Sequence, residues 1–272
     1  MSPSPERASA RFERFVERSH AQCLEHSIKL DAEQCHDHRL NAWFSYDHET
    51  RVLEALTLFE TFAAQMGVDF DVPWARSVVD GLDLTLAKSV VVGTDFRRNA
   101  RRSRLKLAFS FVGAPSAVSY ARGLAPIGPA LEAALAERRL TFGLAIDGAG
   151  RRHVKLYPSF HIDGDDVARF DRFATQHLSS RAIAYAHRCM RVFVTEGAPH
   201  EGAPLVLHFR PRELDAFIRD EAFTGLPIAQ ELERQRSLGR RPLVISAPHG
   251  DLAAGRVRTT NLYAFESAPS AG

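Results

Sequence analysis

The sequence has 272 residues, of which 45% are hydrophobic and 25% charged, a composition that excludes disordered and low-complexity chains. Lysine and arginine number 35 against 33 acidic residues, and a formal net charge of +2 is too balanced for a main partner such as duplex nucleic acid or an anionic membrane. Any basic site must therefore be local.

We expect a single cytoplasmic, monomeric domain over residues 1–272, with short loose tails at 1–6 and 267–272. No stretch approaches the roughly 18 consecutive apolar residues of a membrane span, and the first residues lack the apolar core of a signal peptide. The three cysteines are widely spaced and form no CxxC pair, which favours reduced thiols over a disulfide framework.

Pairs of strands alternate with helices along the chain. The expected pairs are 24–30 with 39–46, 88–96 with 105–111, 140–146 with 154–160, 189–195 with 205–210, and 242–246 with 259–265. Apolar residues at helical spacing predict helices within 52–62, 74–79, 118–124, 131–136, 167–173 and 214–218. The pairs recur at steps of 64, 52, 49 and 53 residues, which indicates about five copies of an α-β-β-α unit.

Ten consecutive antiparallel strands with helices on one side can hide every sheet edge by closing into a barrel, so we predict an α+β barrel surrounded by helices. In 105–111 the odd positions are apolar and suit the helix side, while Lys106 points to the interior. The same alternation assigns to the interior Glu25, Arg39, Asn41, Trp43, Lys155, Tyr157, Ser159, Arg191, Phe193, Thr195, His208, Arg210, Asn261, Tyr263 and Phe265. Glu25 is the only acidic residue in this predicted set.

Several cations inside one barrel repel each other and are costly to desolvate unless a bound polyanion compensates them. A diphosphate could accept hydrogen bonds from Arg39, Lys106, Lys155 and Arg191 and from the hydroxyls of Tyr157 and Tyr263. If the diphosphate leaves an allylic carbon, the rings of Trp43, Tyr157, Phe193, Tyr263 and Phe265 can stabilise the cation and exclude water. Glu25 would then position or deprotonate a nucleophile.

Two further segments carry suggestive side chains. Cys35-His-Asp-His38 invites a metal-site interpretation, but adjacent residues in a turn cannot all aim at one ion, so we interpret it as a polar turn. The basic run from Arg97 to Arg104 is typical of a solvated surface, yet at the mouth of a barrel it could attract an anionic substrate.

The sequence resembles the cyanobactin-type peptide prenyltransferase family, whose fold is the ABBA barrel. The resemblance rests on Gly93-Thr-Asp-Phe-Arg-Arg-Asn99 with Ser103-Arg-Leu-Lys-Leu107, on Cys23-Leu-Glu25 with Lys29-Leu-Asp31, and on Asn261-Leu-Tyr263. It implies transfer of a dimethylallyl or geranyl group from the allylic diphosphate, assisted by Mg²⁺, to a cyclic or linear ribosomally made peptide.

The resemblance also implies roles for individual residues. By position, Glu25 corresponds to the acidic residue that engages the acceptor, Arg39 and Lys106 to diphosphate ligands, and Tyr157 and Tyr263 to the strand tyrosines. His208 stands where the family tends to have Tyr, and we include it among the predicted diphosphate-binding residues. The Val192-Phe193 stretch resembles the lining of the prenyl pocket but departs from the family pattern, so the length of the donor stays open.

Three alternatives remain open at this stage. The same barrel could prenylate a small aromatic metabolite, or it could bind an anionic ligand or a partner protein without catalysis. A weak RNA-binding role for the basic run is disfavoured by the near-neutral total charge.

Overall fold

The computed structural model describes residues 5–19, 21–45, 71–112, 115–135, 139–163, 166–196 and 204–267, together with positions 57, 60 and 64. The strands are β1 (Cys23–Asp31), β2 (Cys35–His36), β3 (Arg39–Ser45), β4 (Ala87–Asp95), β5 (Arg104–Val112), β6 (Arg139–Asp147), β7 (Arg152–His161), β8 (Cys189–Glu196), β9 (Leu205–Pro211), β10 (Arg241–Pro248) and β11 (Thr259–Ser267). All ten expected strands are thus confirmed to within two residues, apart from position 46, which lies outside the described residues.

These strands form a closed antiparallel barrel. Each of the ten long strands pairs with its neighbours in chain order, and β11 pairs with β1 from Asp31↔Thr259 to Cys23↔Ser267, which closes the ring. The two-residue strand β2 is an addition that pairs only with the end of β1. The predicted α+β barrel is therefore confirmed, and closure leaves the ten strands without an unpaired edge.

Nine α-helices whose bounds the structure describes accompany the barrel. They are α1 (Pro5–Arg18), α2 (Val72–Asp80), α3 (Pro115–Leu124), α4 (Pro129–Ala134), α5 (Val167–His177), α6 (Ser180–His187), α7 (Leu214–Ile218), α8 (Ile228–Ser237) and α9 (His249–Ala253). The spacing of apolar residues in the sequence predicts α2 to α5 and α7 but misses α1, α6, α8 and α9. Of the helix predicted within 52–62, positions 57 and 60 are described and both are helical, while the rest of it, and position 136 of another helix, lie outside the described residues.

Helix α1 corrects one expectation about the chain ends. It begins at Pro5, so Pro5 and Glu6 are helical rather than part of a loose tail, and proline suits the first helical turn because it needs no amide donor there. At the other end, Ser267 is the last residue of β11. The remaining tail positions, 1–4 and 268–272, lie outside the described residues.

Burial along the strands separates an apolar outer face from an accessible interior. In β5 the residues Leu105, Leu107, Phe109 and Phe111 are at most 2% exposed, whereas the residues between them keep accessible surface. The buried set belongs to a core that also contains residues of α1 to α4, and a second core lies between β7 to β11 and helices α5 to α9. Because only the outward face packs against helices, the inward face is free to line a site.

The two ends of the barrel differ in the residues they carry. At one end β3 begins at Arg39, β4 ends at Asp95 and β5 begins at Arg104; we call it the Asp95 end. At the opposite end β6 begins at Arg139 and β8 begins just before Arg191; we call it the Arg191 end. Because consecutive strands are antiparallel, the loops between them lie alternately at the two ends of the barrel.

Candidate functional site

The main cluster of interacting polar side chains lies inside the barrel and extends to the Asp95 end. It contains Glu25, Arg39, Asp95, Lys106, Lys155, Tyr157, His208 and Tyr263, each of which interacts electrostatically with other members. These residues come from β1, β3, β4, β5, β7, β9 and β11, so only closure of the sheet brings them together. Seven of the eight are residues that the strand alternation assigned to the interior.

Glu25 is held on both carboxylate oxygens. Asn41 Nδ2 donates to Oε1 at 2.5 Å and Trp43 Nε1 donates to Oε2 at 3.0 Å, both from the neighbouring strand β3. Burial raises the pKa of Glu25, and the two hydrogen bonds and the charges of Lys106 and Arg39 offset only part of that rise. The carboxylate is thus fixed in position and unusually basic, which suits a group that accepts a proton.

Lys106 and Lys155 are buried cations with few partners. The Lys106 ammonium donates to the Thr94 carbonyl oxygen at 3.3 Å, and Lys155 makes no hydrogen bond with the described residues. Burial, followed by the nearby charge of Arg39, lowers the pKa of Lys106 to about 7 and that of Lys155 to about 8. Both side chains nevertheless keep accessible surface, so they line the interior with unused donors.

Arg39 and Asp95 form the link between the cluster and the end of the barrel. The Arg39 guanidinium donates to the side-chain oxygen of Asn261, while its Nε lies 3.7 Å from Asp95 Oδ2 and has no hydrogen-bond partner. Asp95 also accepts from His36 Nε2 at 3.0 Å and pairs with Arg97 at 2.7 Å. Burial favours a raised pKa for Asp95, but these donors and the charge of Lys106 outweigh it and hold the pKa below its ordinary value.

Asp95 corrects the prediction that Glu25 is the only inward acidic residue. The strand alternation misses it because Asp95 is the last residue of β4, where a carboxylate is also typical of a solvated turn. Its cross-strand partners in the barrel are Arg39 and Arg104. An acidic residue placed between two arginines on neighbouring strands is the signal that could have shown Asp95 to face the interior.

His208 bridges the two tyrosines of the cluster. Its Nδ1 lies 3.2 Å from the Tyr263 hydroxyl, its ring meets that of Tyr157 edge-on at 5.7 Å, and its Nε2 is buried with no partner. Burial and then the charge of Lys155 lower the pKa of His208 to about 3, so the ring is neutral at pH 7. Burial raises the pKa of both Tyr157 and Tyr263, which keeps their hydroxyls protonated as donors.

The aromatic residues predicted to shield a cation fall into two groups. Trp43 and Phe265 both lie beside Glu25, because Trp43 donates to its carboxylate and Phe265 is its cross-strand partner in β11. Phe193 lies between the cluster and Arg191, since it is the cross-strand partner of His208 and the Arg191 guanidinium covers its ring at 4.4 Å from the centroid. One face of Phe193 is therefore already engaged by a cation of the protein itself.

Two predicted site residues are in different places from those expected. Arg191 lies near the Arg191 end, where it donates to Ser159 Oγ and faces Arg139 and Arg210, so it is not part of the main cluster. Val192 points outward into the core between the barrel and the helices and is 0% exposed. Alternation along β8 puts it on the opposite face from Phe193, so it cannot line the interior.

Gly93 keeps the support of Glu25 in place. It is the cross-strand partner of Asn41, and a Cβ atom built at this position would collide with the Asn41 side-chain oxygen. A larger residue would displace the amide that holds Glu25. This gives a physical reason for the glycine at the start of the run that carries the family resemblance.

The segment from Cys35 to His38 is not an isolated polar turn. Cys35 and His36 form β2, His36 reaches Asp95, and Asp37 pairs with Arg234 of α8 at 3.0 Å. Within the described ranges, no three His, Cys, Asp or Glu side chains are arranged to hold a metal ion. The segment is therefore attached to Asp95 by a hydrogen bond and to α8 by an ion pair.

The basic run joins β4 to β5 at the Asp95 end, next to the cluster. Arg97 is bound to Asp95 and Ser103, whereas Arg98, Arg101 and Arg102 are exposed. The positive charge of this loop thus adds to that of the interior at the same end of the barrel.

The sequence matches no family model and no curated protein. No helix in the ranges that the structure describes combines the length and apolar character needed to cross a membrane. Inferences about activity therefore depend on the chemistry of the cluster and on the resemblance drawn from its motifs.

Proposed function

We propose that this protein is a prenyltransferase that binds an allylic diphosphate, dimethylallyl or geranyl, in the barrel and transfers the prenyl group to a peptide. The observation that carries the proposal is the group of buried, incompletely paired cations Arg39, Lys106 and Lys155 beside the fixed carboxylate of Glu25. The peptide acceptor is taken from the family resemblance.

The cations account for binding of the diphosphate. Cations that are desolvated and near one another are unfavourable without an anion, and the depressed pKa values of Lys106 and Lys155 express that cost. A diphosphate would accept hydrogen bonds from both ammonium groups, from the free Nε of Arg39 and from the tyrosine hydroxyls. His208 and Tyr263 together supply one of these donors: either Tyr263 donates to the diphosphate and accepts from His208 Nδ1, or Tyr263 donates to Nδ1 and the neutral ring donates from its unpaired Nε2.

The reaction would use the cations, the aromatic rings and Glu25 in turn. Breaking the bond between C1 and oxygen leaves the electron pair on the diphosphate, which the cations stabilise, and produces an allylic cation. The rings of Trp43 and Phe265 beside Glu25, and those of Tyr157 and Tyr263 beside His208, would stabilise this cation. The acceptor atom then forms its bond to C1 and loses a proton to Glu25.

Magnesium would be held by the diphosphate rather than by this chain. The carboxylate oxygens of Glu25 accept from Asn41 and Trp43, and those of Asp95 accept from His36 and Arg97. The two carboxylates of the cluster are thus already engaged, so they do not form a Mg²⁺ site. We assign no step of the reaction to a metal ion.

Mass spectrometry of peptides incubated with the protein, magnesium and dimethylallyl or geranyl diphosphate tests the proposal. We expect one C5 or C10 unit to be added to a peptide in a panel of short cyclic and linear sequences. Addition to phenols or indoles but not to peptides would support the small-molecule alternative. Diphosphate binding without transfer to any acceptor would leave a non-catalytic anion-binding barrel.

Donor binding should also take up protons at pH 8. Free Lys106 and Lys155, with pKa values of about 7 and about 8, are partly neutral there, and a bound diphosphate raises both values. We expect uptake of roughly one to two protons per bound diphosphate at pH 8 and much less at pH 6, where both lysines are already charged. Calorimetry with isopentenyl diphosphate, which cannot ionise to an allylic cation, in buffers of different ionisation enthalpy measures this number.

A matched variant separates this proton uptake from other titrations. Lys106→Met should reduce the uptake at pH 8, whereas Lys88→Met, at an exposed position of β4, should not change it. Equal proton uptake at pH 6 and pH 8 would contradict the assignment of the two lysines.

A further inference from the structure

A second group of cations lies at the Arg191 end, apart from the main cluster. Arg191 and Arg210 are direct cross-strand neighbours in β8 and β9, and Arg139, at the start of β6, lies close enough to Arg191 to affect its charge. Each lies two residues from an inward-facing residue of its own strand, namely Thr141, Phe193 or His208. Because side chains alternate along a strand, all three arginines are on the face that lines the interior.

The three arginines have no acidic partner in the described part of the chain. Arg191 donates to Ser159 Oγ at 2.8 Å and Arg139 donates to His161 Nε2 at 2.8 Å, so their hydrogen bonds are to neutral groups. Like charges directly opposite each other on neighbouring strands are destabilising. Burial and then the charges of Arg139 and Arg210 lower the pKa of Arg191 to about 10, which agrees with an uncompensated group.

The geometry around Arg191 is preorganised. Its guanidinium lies over the Phe193 ring and donates from two nitrogens to Ser159 Oγ. These two contacts fix the plane of the guanidinium group. A guanidinium fixed in this way can bind both oxygens of a carboxylate at once. Arg210 is exposed, so the group is reached from outside the barrel.

The rim at this end also exposes apolar side chains. Leu86 directly before β4, Val112 at the end of β5 and Met190 at the start of β8 are 39%, 46% and 37% exposed. A mouth with an apolar rim and inner arginines fits an amphipathic ligand with an acidic group better than it fits a small inorganic anion.

We propose that Arg139, Arg191 and Arg210 bind a carboxylate of the acceptor peptide, which enters at the Arg191 end while the diphosphate lies toward the Asp95 end. This inference deepens the proposed function and rests on it for the identity of the acceptor. The carboxylate comes from either the C-terminus of a linear peptide or an acidic side chain, and both offer the same chemistry to the arginines.

Calorimetry with three acetylated pentapeptides of one Ala and Tyr sequence tests the proposal. The first ends in a carboxylate, the second in a carboxamide, and the third in a carboxamide with Glu replacing one Ala. We expect at least one acidic peptide to bind about tenfold more tightly than the neutral one, as charge-assisted hydrogen bonds provide. The peptide that shows the gain identifies the source of the carboxylate.

Arg191→Met and Arg210→Met should each reduce that gain, while Arg219→Met, at an exposed position outside the barrel, should keep it. Arg210 is exposed, so its variant remains informative even if Arg191→Met folds poorly. Equal binding of all three peptides, no binding of any of them, or a gain that survives both variants would overturn the proposal.

Titration of isopentenyl diphosphate into the same proteins separates this inference from the proposed function. Arg191→Met and Arg210→Met should leave the Kd for the diphosphate unchanged, and a marked weakening would place the donor at this end and overturn the inference. If the wild-type protein bound no diphosphate, the proposed function would fail, whatever the peptides showed.

Discussion

Lys106→Met is expected to lower prenyl transfer by about 100-fold or more, because it removes a preorganised cation from the oxygens of the leaving diphosphate. Methionine keeps the length of the side chain and removes its charge and donors. Lys106 has one hydrogen bond, to the Thr94 carbonyl oxygen, and lies in a group of mutually repelling cations. The variant should therefore fold normally, with the free energy of unfolding near pH 7 unchanged or higher.

Steady-state transfer rates, calorimetric donor binding and chemical denaturation together check this prediction. Lys88→Met is the matched control, since it removes an exposed lysine from the neighbouring strand. Full transfer activity in Lys106→Met would refute the assignment of the cluster as the diphosphate site. A large loss of stability with unchanged donor affinity would show that Lys106 is structural.

The pH dependence of stability provides a further check on the same residue. The pKa of Lys106 is about 7 in the folded protein and near 10.5 in the unfolded chain, so the unfolded state binds more protons between these values. The free energy of unfolding of the wild-type protein should gain a rising contribution with pH across this window. Lys106→Met should lack that contribution.

Glu25→Gln is expected to lower prenyl transfer by about 100-fold or more, within the range typical of losing a general base. Both carboxylate oxygens accept hydrogen bonds, from Asn41 and Trp43, so the amide group of glutamine must also turn its nitrogen toward one of these donors. Donor binding should change little, because removing a carboxylate does not remove a cation. The expected signature is lost transfer with retained diphosphate affinity.

A pH profile distinguishes a chemical role for Glu25 from a structural one. Because burial raises its pKa, the acidic limb of the wild-type profile should lie above the ordinary range of a glutamate, with transfer rising as Glu25 loses its proton. Glu25→Gln should lose that limb. Trp43→Phe, which removes one of the two hydrogen bonds to Glu25, should keep the limb with a smaller loss of rate, and an unchanged limb in Glu25→Gln would contradict the role.

The sequence determined the strands and most of the inner face because both follow from local alternation. In β5 one face must be apolar to pack against helices, so the position of Lys106 on the other face could be predicted without tertiary information. The same rule placed Glu25, Arg39, Lys155, Tyr157, His208 and Tyr263 in the interior. It also contradicts an interior role for Val192, which the structure buries outside the barrel.

Only the tertiary structure decided which interior residues meet. Alternation assigns a side chain to a face but not to a height along the barrel, so Arg191 could not be separated from Lys106 and Lys155 in the sequence. The register of the closed sheet puts Arg191 opposite Arg210 at one end, and Asp95 beside Arg39 toward the other. The sequence by itself therefore determined a barrel with a cationic interior. The closure of the barrel, which fixes distances between residues far apart in the chain, decided how those charges divide into two groups.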